Sequence, residues 1–167
     1  MTHETAATPV PAAERGRTLA LLVALAVFVA DQAAKIWVLG IDFTAGPIRV
    51  LPVLDITLVM NRGISYGLLQ QDGLGRWLLV AFTVAASIAL GVWLWRAGRA
   101  FTKVAVALIL GGAVGNLVDR VIYGAVVDYV HLHWGTWSWY IFNVADAAIV
   151  VGVALLLIES LFRRADG

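Results

Sequence analysis

Long apolar stretches alternate with short polar segments along most of the chain. Four of these stretches reach the length of about 20 residues that a helix needs to cross the core of a bilayer. They span residues 18–39, 76–95, 103–122 and 139–162. After Arg76, the polar side chains of the second stretch are only Thr83 and Ser87, and a helix that is apolar on all sides is typical of contact with lipid. The pattern predicts an all-α membrane protein with four transmembrane helices.

Two connecting segments show a different pattern, in which β-branched residues partly alternate with others. Residues 48–60 predict one or two short strands that lie on the membrane, with Pro52 at an edge or a turn. Residues 126–134 also predict an extended chain, followed by a turn at Gly135. The aromatic residues near this turn lie where a belt at the membrane interface is expected.

Composition supports a chain whose solvent is mainly lipid. Apolar residues make up 61% of the sequence and charged residues 14%, whereas soluble domains hold about 45–50% and about 25%. The net charge of +1 gives no electrostatic basis for binding nucleic acid. The absence of cysteine excludes a disulfide, a thiolate nucleophile and a cysteine metal site.

The distribution of basic residues predicts how the chain is oriented. Seven of the twelve lie before the first apolar stretch, between the second and the third or at the first residue of the third, or after the fourth. Positive charge is enriched in cytoplasmic flanks. We therefore expect both termini in the cytoplasm and the loops 40–75 and 123–138 on the outer side.

The same pattern predicts the boundaries of the membrane domain. The predicted parts are a disordered cytoplasmic tail at 1–17, a membrane domain at 18–162 and a cytoplasmic tail at 163–167. Arg15 and Arg17 before an apolar run resemble the start of a signal peptide. The run is longer than the usual apolar core of about 7–15 residues, so we expect a retained first span.

Polar residues in three of the predicted helices fall at a similar depth. With a rise of about 1.5 Å per residue, Asp31 and Asn116 each lie about 20 Å along a span that runs outward. Asn143 and Asp146 lie about 6–11 Å from the outer end of the fourth span. An ionisable group near the bilayer centre costs at least about 2.5–3.5 kcal/mol, so this convergence indicates a shared site in the outer third of the membrane.

Asp128 and Asp146 are the two carboxylates without an obvious local partner. Two carboxylates held close together in a low-dielectric site share one proton and supply a base and an acid together. Such a pair can hydrolyse a peptide bond through an activated water. The spacing leaves a structural alternative open, in which Asp128 caps a turn and Asp146 forms an interhelical hydrogen bond.

Other ionisable residues have structural explanations. Asp31 and Lys35 are four residues apart with the acid first, which is the favourable order for a helical ion pair. Asp119 and Arg120 are likewise interpreted as a structural ion pair.

Histidine and serine offer weaker candidates for catalysis. His131 and His133 share one face of a predicted strand, so a metal site is conceivable, but no helical zinc-protease motif accompanies them. Packing at the membrane interface is the alternative explanation. No serine has a nucleophile motif or a paired base in the sequence.

Four sequence blocks resemble one known family. They are residues 31–35 (DQAAK), 61–67 (NRGISYG), 111–129 (GGAVGNLVDRVIYGAVVDY) and 142–147 (FNVADA). In these blocks, which extend over nearly the whole membrane domain, the chain is similar to the bacterial lipoprotein signal peptidases, also called signal peptidase II. The last two blocks are the most specific. In the second block the departures from the family's usual pattern are Arg62, Ser65 and Tyr66, whereas Asn61, Gly63 and Gly67 keep it.

The resemblance implies a fold and a site. It implies a four-helix membrane core with a small extracytoplasmic β-rich cradle. It identifies Asp128 and Asp146 as the catalytic residues. The polar residues that bind substrate or support the site would be Asp31, Lys35, Asn61, Gly63, Asn116, Arg120 and Asn143.

The resemblance also implies an activity. It is that of an intramembrane aspartic endopeptidase of the bacterial inner membrane, which removes the signal peptide from diacylglyceryl-modified prolipoproteins by cutting just before the lipidated cysteine. The expected partners are these substrates, membrane lipids and globomycin-type inhibitors. No metal, cofactor or nucleic acid is expected, and the active site is expected near the periplasmic face.

Two other classes of protein fit parts of the pattern. Intramembrane Asp, Lys and Arg residues are also typical of a small proton-coupled transporter or channel component. Against it, the charges cluster near one face, the second span has no polar stripe, and no internal repeat is present. A non-catalytic four-span subunit, in which polar residues only hold helices together, is the second alternative.

Overall fold

The computed structural model describes residues 12–63 and 73–165. Within these ranges the helices are α1 (Ala12–Leu39), α2 (Leu74–Arg96), α3 (Ala100–Tyr123) and α4 (Val144–Ala165). The strands are β1 (Ile48–Leu51), β2 (Leu54–Asn61), β3 (Val126–Trp134) and β4 (Trp137–Ser138). Each of these four helices is long and apolar enough to cross a membrane. The predicted fold class, four transmembrane helices with a small β-rich region, is confirmed.

Helix α3 lies at the centre of the bundle. Half of its apolar segment (50%) is buried, compared with 11% to 17% for the other three helices. The outer helices expose large apolar side chains, such as Phe82 on α2 at 72% and Leu161 on α4 at 67%. In a chain of this kind, such surface is the face in contact with lipid.

Small residues bring α1 and α3 close together. A Cβ atom at Gly111 would lie 2.5 Å from the backbone oxygen of Ala24, and one at Gly115 would lie 2.5 Å from Oδ2 of Asp31. Side chains do not tolerate contacts this short, so both positions require glycine. Small residues four positions apart allow two membrane helices to approach this closely.

The directions of the helices place the sheet at one end of the bundle. Helices α1 and α3 run in the same direction, because Gly16 lies beside Lys103 as Ala24 lies beside Gly111. Helix α4 runs in the opposite direction, since Thr102 near the start of α3 donates a hydrogen bond to Glu159 near the end of α4 at 2.8 Å. The ends of α1 and α3 and the start of α4 therefore meet, and the strands connect at this end.

In the described ranges the strands form an antiparallel sheet in the order β1-β2-β3-β4. Pro52 lies in the turn between β1 and β2, as predicted. Val59 of β2 is opposite Asp128 of β3, and Asn61 is opposite Val126. Opposite residues and those two positions along share one face of a sheet. This register places Asn61 on the same face as Asp128.

The predicted disordered tail was wrong for part of its length. Helix α1 begins at Ala12 rather than at residue 18. Alanine, glutamate and arginine are good helix formers, and Glu14 in the first turn interacts favourably with the positive end of the helix dipole. Residues 1–11 lie outside the described part of the chain.

The predicted start of the fourth helix was also wrong. Helix α4 begins at Val144 rather than at residue 139. The intervening backbone pairs with β3 instead, because Trp139 donates to the carbonyl of Leu132 at 2.8 Å and Phe142 donates to the carbonyl of Val130 at 3.0 Å. This pairing brings the start of α4 next to β3.

Candidate active site

Asp128 and Asp146 line the same cleft. Asp128 is the third residue of β3 and is 2% exposed, whereas Asp146 lies in the first turn of α4. The cleft has a volume of about 510 Å³, and Asn61 also lines it. Its other walls are aromatic or aliphatic: Trp139, Tyr140, Ile141, Phe142, Ala147, Val150 and Val151. The last two project from the exposed apolar face of α4, so the cleft borders the lipid.

Asn143 contacts both aspartates and directly precedes α4. Its Nδ2 donates to Oδ1 of Asp128 at 2.7 Å, and its Oδ1 accepts the backbone N–H of Asp146 at 2.9 Å. In return, Oδ2 of Asp146 accepts the backbone N–H of Asn143 at 3.3 Å. This reciprocal pair is a capping box, which satisfies N–H groups that a helix start leaves without partners. Asp146 is thus fixed by the same bonds that begin its helix.

Two amides hold the carboxylate of Asp128. In addition to Asn143, Asn61 donates from Nδ2 to Oδ2 of Asp128 at 3.0 Å. Burial raises the pKa of Asp128 to about 6, a rise that the bond from Asn61 opposes and the negative charge of Asp146 reinforces. A carboxyl group with this pKa exchanges its proton near neutral pH, which suits acid–base chemistry.

Asn116 of α3 connects Asp146 to a buried lysine. Its Nδ2 donates to Oδ1 of Asp146 at 2.8 Å. Its Oδ1 accepts hydrogen bonds from Nζ of Lys35 at 3.0 Å and from Nδ2 of Asn143 at 3.2 Å. Two donors on one side fix the orientation of the amide, so its NH₂ group must face Asp146. The interhelical hydrogen bond considered as an alternative role for Asp146 therefore exists alongside its place in the cleft.

A buried ion cluster lies behind the cleft. The ammonium of Lys35 is 2.7 Å from Oδ2 of Asp31 and 2.7 Å from Oδ2 of Asp119. Lys35 is 1% exposed, and both aspartates are fully buried. Gln32 donates to Asp31 at 3.2 Å and to Asp119 at 3.1 Å. The predicted pairing of Asp31 with Lys35 is present.

The predicted ion pair between Asp119 and Arg120 was wrong. Adjacent residues on a helix point in directions about 100° apart, so Asp119 and Arg120 do not face the same partner. Asp119 faces Lys35 on α1. Nη1 of Arg120 instead donates to the backbone oxygen of Asn116 at 3.2 Å. From there the guanidinium interacts electrostatically with Asp146 and with Asp119.

The second sequence block is only partly described. The backbone N–H of Gly63 donates to Oδ1 of Asn61 at 3.2 Å, which fixes the amide that faces Asp128. Ser65, Tyr66 and Gly67 lie outside the described residues.

Two features of the site were not predicted from the sequence. Gln32 hydrogen-bonds to Asp31 and Asp119 in the ion cluster, a role that its position in the first sequence block did not indicate. The segment Trp139 to Phe142 forms a wall of the cleft, whereas the sequence placed it in a helix. Its concentration of aromatic residues beside the final block is the signal that could have indicated this.

The two histidines lie on the sheet with separate partners. Nε2 of His131 is 2.7 Å from Oγ of Ser138, and Nε2 of His133 is 3.1 Å from Oδ2 of Asp55. Their ring centroids lie 5.3 Å apart, and the ring planes are tilted by 41°. Among residues 12–63 and 73–165, no group of three or more His, Asp or Glu side chains is arranged to hold a metal ion.

Comparison with solved structures defines the class of protein. A bacterial membrane enzyme solved by the in meso method at 2.3 Å resolution matches with a TM-score of 0.80 and 29% identity, over 89% of this chain and 91% of that chain. A second bacterial membrane enzyme, solved at 1.9 Å resolution, matches with a TM-score of 0.77 and 29% identity, over 86% of this chain and 93% of that chain. The fold is therefore that of a multi-pass membrane enzyme.

Sequence comparison identifies the family. Residues 23–162 match the family described as signal peptidase (SPase) II. A lipoprotein signal peptidase of Methylorubrum extorquens is 56% identical over 144 residues, which cover 84% of each chain. One of a Methylobacterium species is 54% identical over 152 residues, covering 89% of this chain and 92% of the relative. The chain belongs to the signal peptidase II family and is a membrane peptidase, and the transporter alternative is not supported.

Proposed function

We propose that the chain is an aspartic endopeptidase in which Asp128 and Asp146 form the catalytic pair. The observation that carries this proposal is that both carboxylates line one cleft and both hydrogen-bond to Asn143. The raised pKa of Asp128, about 6, supports a role in proton transfer near neutral pH. The surrounding amides act as donors that hold the carboxylates in place.

The chemistry follows from one proton shared by two carboxylates. The ionised member removes a proton from a water molecule, whose oxygen attacks the carbonyl carbon of the scissile peptide. The protonated member donates its proton to the carbonyl oxygen. Collapse of the tetrahedral intermediate then breaks the C–N bond, and the leaving amine takes up a proton from the pair. No covalent enzyme intermediate forms.

The proposed substrates are diacylglyceryl-modified prolipoproteins, cut just before the lipidated cysteine. Relatives named as lipoprotein signal peptidases support this assignment. The cleft supports it as well, because its polar end holds the aspartates and its apolar wall includes Val150 and Val151 on α4. A lipidated substrate can approach this wall from the membrane, and globomycin-type inhibitors are proposed to occupy the same cleft.

Strand β2 is proposed to hold the substrate backbone by strand addition. In the described chain, β1 pairs with β2 only between Leu54 and Ile56. The remaining part of β2, up to Asn61 at the cleft, pairs with β3 on its other side. Proline substitutions along residues 56–60 should therefore impair cleavage, and unchanged cleavage would contradict strand addition.

The proposed location is the bacterial inner membrane, with both termini in the cytoplasm and the cleft near the periplasmic face. The clustering of basic residues at the bundle end away from the sheet supports this orientation. Because the chain contains no cysteine, one cysteine at Thr136 and another at Gly98, in separate variants, can report the side. In intact inner-membrane spheroplasts, a membrane-impermeant maleimide should label only the Thr136→Cys variant, and labelling of Gly98→Cys alone would reverse the orientation.

Cleavage of a lipid-modified precursor by purified protein tests the catalytic pair. Asp128→Asn and Asp146→Asn preserve size but remove the carboxylate, so each should reduce cleavage by several orders of magnitude. Asp42→Asn is a matched control, because Asp42 is exposed and its carboxylate accepts a hydrogen bond from the backbone N–H of Thr44 at 2.9 Å. It should cleave like the wild type. Retained activity in either cleft variant would contradict the proposed pair.

A further inference from the structure

The residue before Asp128 is anchored by the buried ion cluster. The backbone N–H of Val127 donates to Oδ2 of Asp119 at 3.1 Å. Asp119 lies on α3, so this bond ties the start of β3 to the centre of the bundle. It restrains the backbone immediately next to Asp128.

The residue before Asp146 is anchored in the same way from a different helix. The backbone N–H of Ala145 donates to Oδ1 of Asp31 at 2.9 Å. Asp31 lies on α1, so its carboxylate satisfies one of the N–H groups at the start of α4. Its negative charge also interacts favourably with the positive end of the α4 dipole.

Lys35 joins the two anchors, which are the carboxylates of Asp119 and Asp31. Its ammonium is 2.7 Å from Oδ2 of Asp31 and 2.7 Å from Oδ2 of Asp119. Its third hydrogen bond goes to Oδ1 of Asn116, at 3.0 Å. An ammonium group has three donors, and here all three have a partner. The third partner, Asn116, also donates a hydrogen bond to Asp146 in the cleft.

Without Lys35 the anchors would repel each other. The Oδ2 atoms of Asp31 and Asp119 lie at most twice 2.7 Å apart, because both contact the same nitrogen. Two fully buried carboxylates at that separation interact strongly in a low-dielectric interior. Removing the ammonium would push the carboxylates apart or force one to bind a proton, and either change would alter the position of the backbone that it holds.

We propose that Lys35 is a positioning residue that sets the distance between the carboxylates of Asp128 and Asp146, through Asp119 on one side and Asp31 on the other. It does so without lining the cleft itself. The proposal rests on the proposed function, since it assigns these two aspartates to catalysis.

The test compares Lys35→Met with Lys103→Met. Lys103 is the other lysine of the chain and is also buried, but it lies near the start of α3, whereas Asp119 lies near its end. Lys35→Met should lower kcat by about 10²-fold, the loss that follows a misplacement of about 1 Å, with little change in KM. Lys103→Met should leave kcat unchanged, because it does not contact the anchors.

The pH–rate profile separates positioning from a purely structural role. The two apparent pKa values of a carboxylate pair depend on the interaction between its members. A changed distance should therefore change the gap between the two limbs of the profile in Lys35→Met. Loss of folded protein alone would lower the rate but leave the gap as in the wild type. A folded Lys35→Met with wild-type kcat and profile, or a loss explained entirely by its folded fraction, would overturn the proposal.

Two further measurements keep the outcome decisive. If Lys35→Met does not fold, Asp119→Asn keeps the size of the anchor but weakens its bonds to Lys35 and Val127, and a wild-type kcat and profile in that variant would overturn the proposal. Asp128→Asn and Asp146→Asn are assayed in parallel. If Asp128→Asn and Asp146→Asn retain cleavage, the proposed function fails. If these two variants lose cleavage while the Lys35 and Asp119 variants keep the wild-type kcat and profile, only the positioning role of Lys35 fails.

Discussion

Replacement of Asn143 by alanine should impair stability and activity together. The change removes the 2.7 Å hydrogen bond to Asp128 and the 2.9 Å bond from the backbone N–H of Asp146. It also removes the 3.2 Å bond to Asn116. Each of these groups lies in the cleft or directly behind it, so a single side chain joins the carboxylate of Asp128 and the backbone of Asp146 to α3.

The expected loss of stability is about 2.5–4 kcal/mol. Removal of the side chain that caps a helix costs about 1 kcal/mol. Loss of a hydrogen bond to a charged group adds about 1.5–3 kcal/mol. Because the carboxylate of Asp128 and the backbone of Asp146 each lose a restraint, kcat should also fall by about 10²-fold.

Thermal unfolding in detergent and cleavage of a lipid-modified precursor measure the two effects. Asn61→Ala is the matched control, because it removes one hydrogen bond from Asp128 but leaves the helix cap intact. Asn143→Ala should therefore be less stable than Asn61→Ala. Equal stabilities of the two variants, or wild-type kcat in Asn143→Ala, would refute the role assigned to the capping box.

Three other measurements test the site. Loss of the bond from Asn61 in Asn61→Ala should raise the pKa of Asp128 further above about 6. Because the member of the pair with the raised pKa holds the shared proton, the alkaline limb of kcat/KM should move to higher pH; an unmoved alkaline limb would contradict this. Gly115→Ala should abolish folding or activity because its Cβ would meet a carboxylate, whereas Gly91→Ala, with open space around it, should be neutral; equal behaviour of the two would contradict the packing argument. Asp128→Asn should gain stability relative to wild type as pH rises from below 3.8 to above about 6, because burial opposes ionisation of Asp128 in the folded protein. A pKa raised from 3.8 to about 6 corresponds to about 3 kcal/mol of unfolding free energy. A constant difference in unfolding free energy between the two proteins across that range would contradict the raised pKa.

The sequence was sufficient to predict which helices contribute to the site. Helix length and charge placed the polar residues of three spans at one depth, and the structure brings Lys35, Asn116 and Asp146 into one hydrogen-bonded chain. The cost of ionisable groups in lipid explains why this worked. Few positions in a membrane helix can hold such groups, so their depth carries information that a soluble helix lacks. The catalytic roles themselves stay predictions.

The partners within the cluster could not be predicted from sequence spacing. Asp119 is next to Arg120 in sequence but pairs with Lys35 on another helix, because helix geometry turns adjacent side chains apart. The rotation of each helix about its axis decides such pairings, and hydrophobic pattern defines it poorly when most faces are apolar. The start of α4 was missed for a related reason. Residues before Val144 bond to a strand distant in sequence, which overrides their local preference.

The wall of the cleft formed by Val150 and Val151 has a consequence for kinetics. A substrate that reaches the aspartates past this wall is dissolved in a two-dimensional medium, so encounter depends on its surface density in the bilayer and not on its amount per volume of water. In detergent assays the apparent KM should therefore follow the mole fraction of substrate in the micelles. Diluting the substrate with extra detergent at constant total concentration should slow cleavage as effectively as removing substrate does.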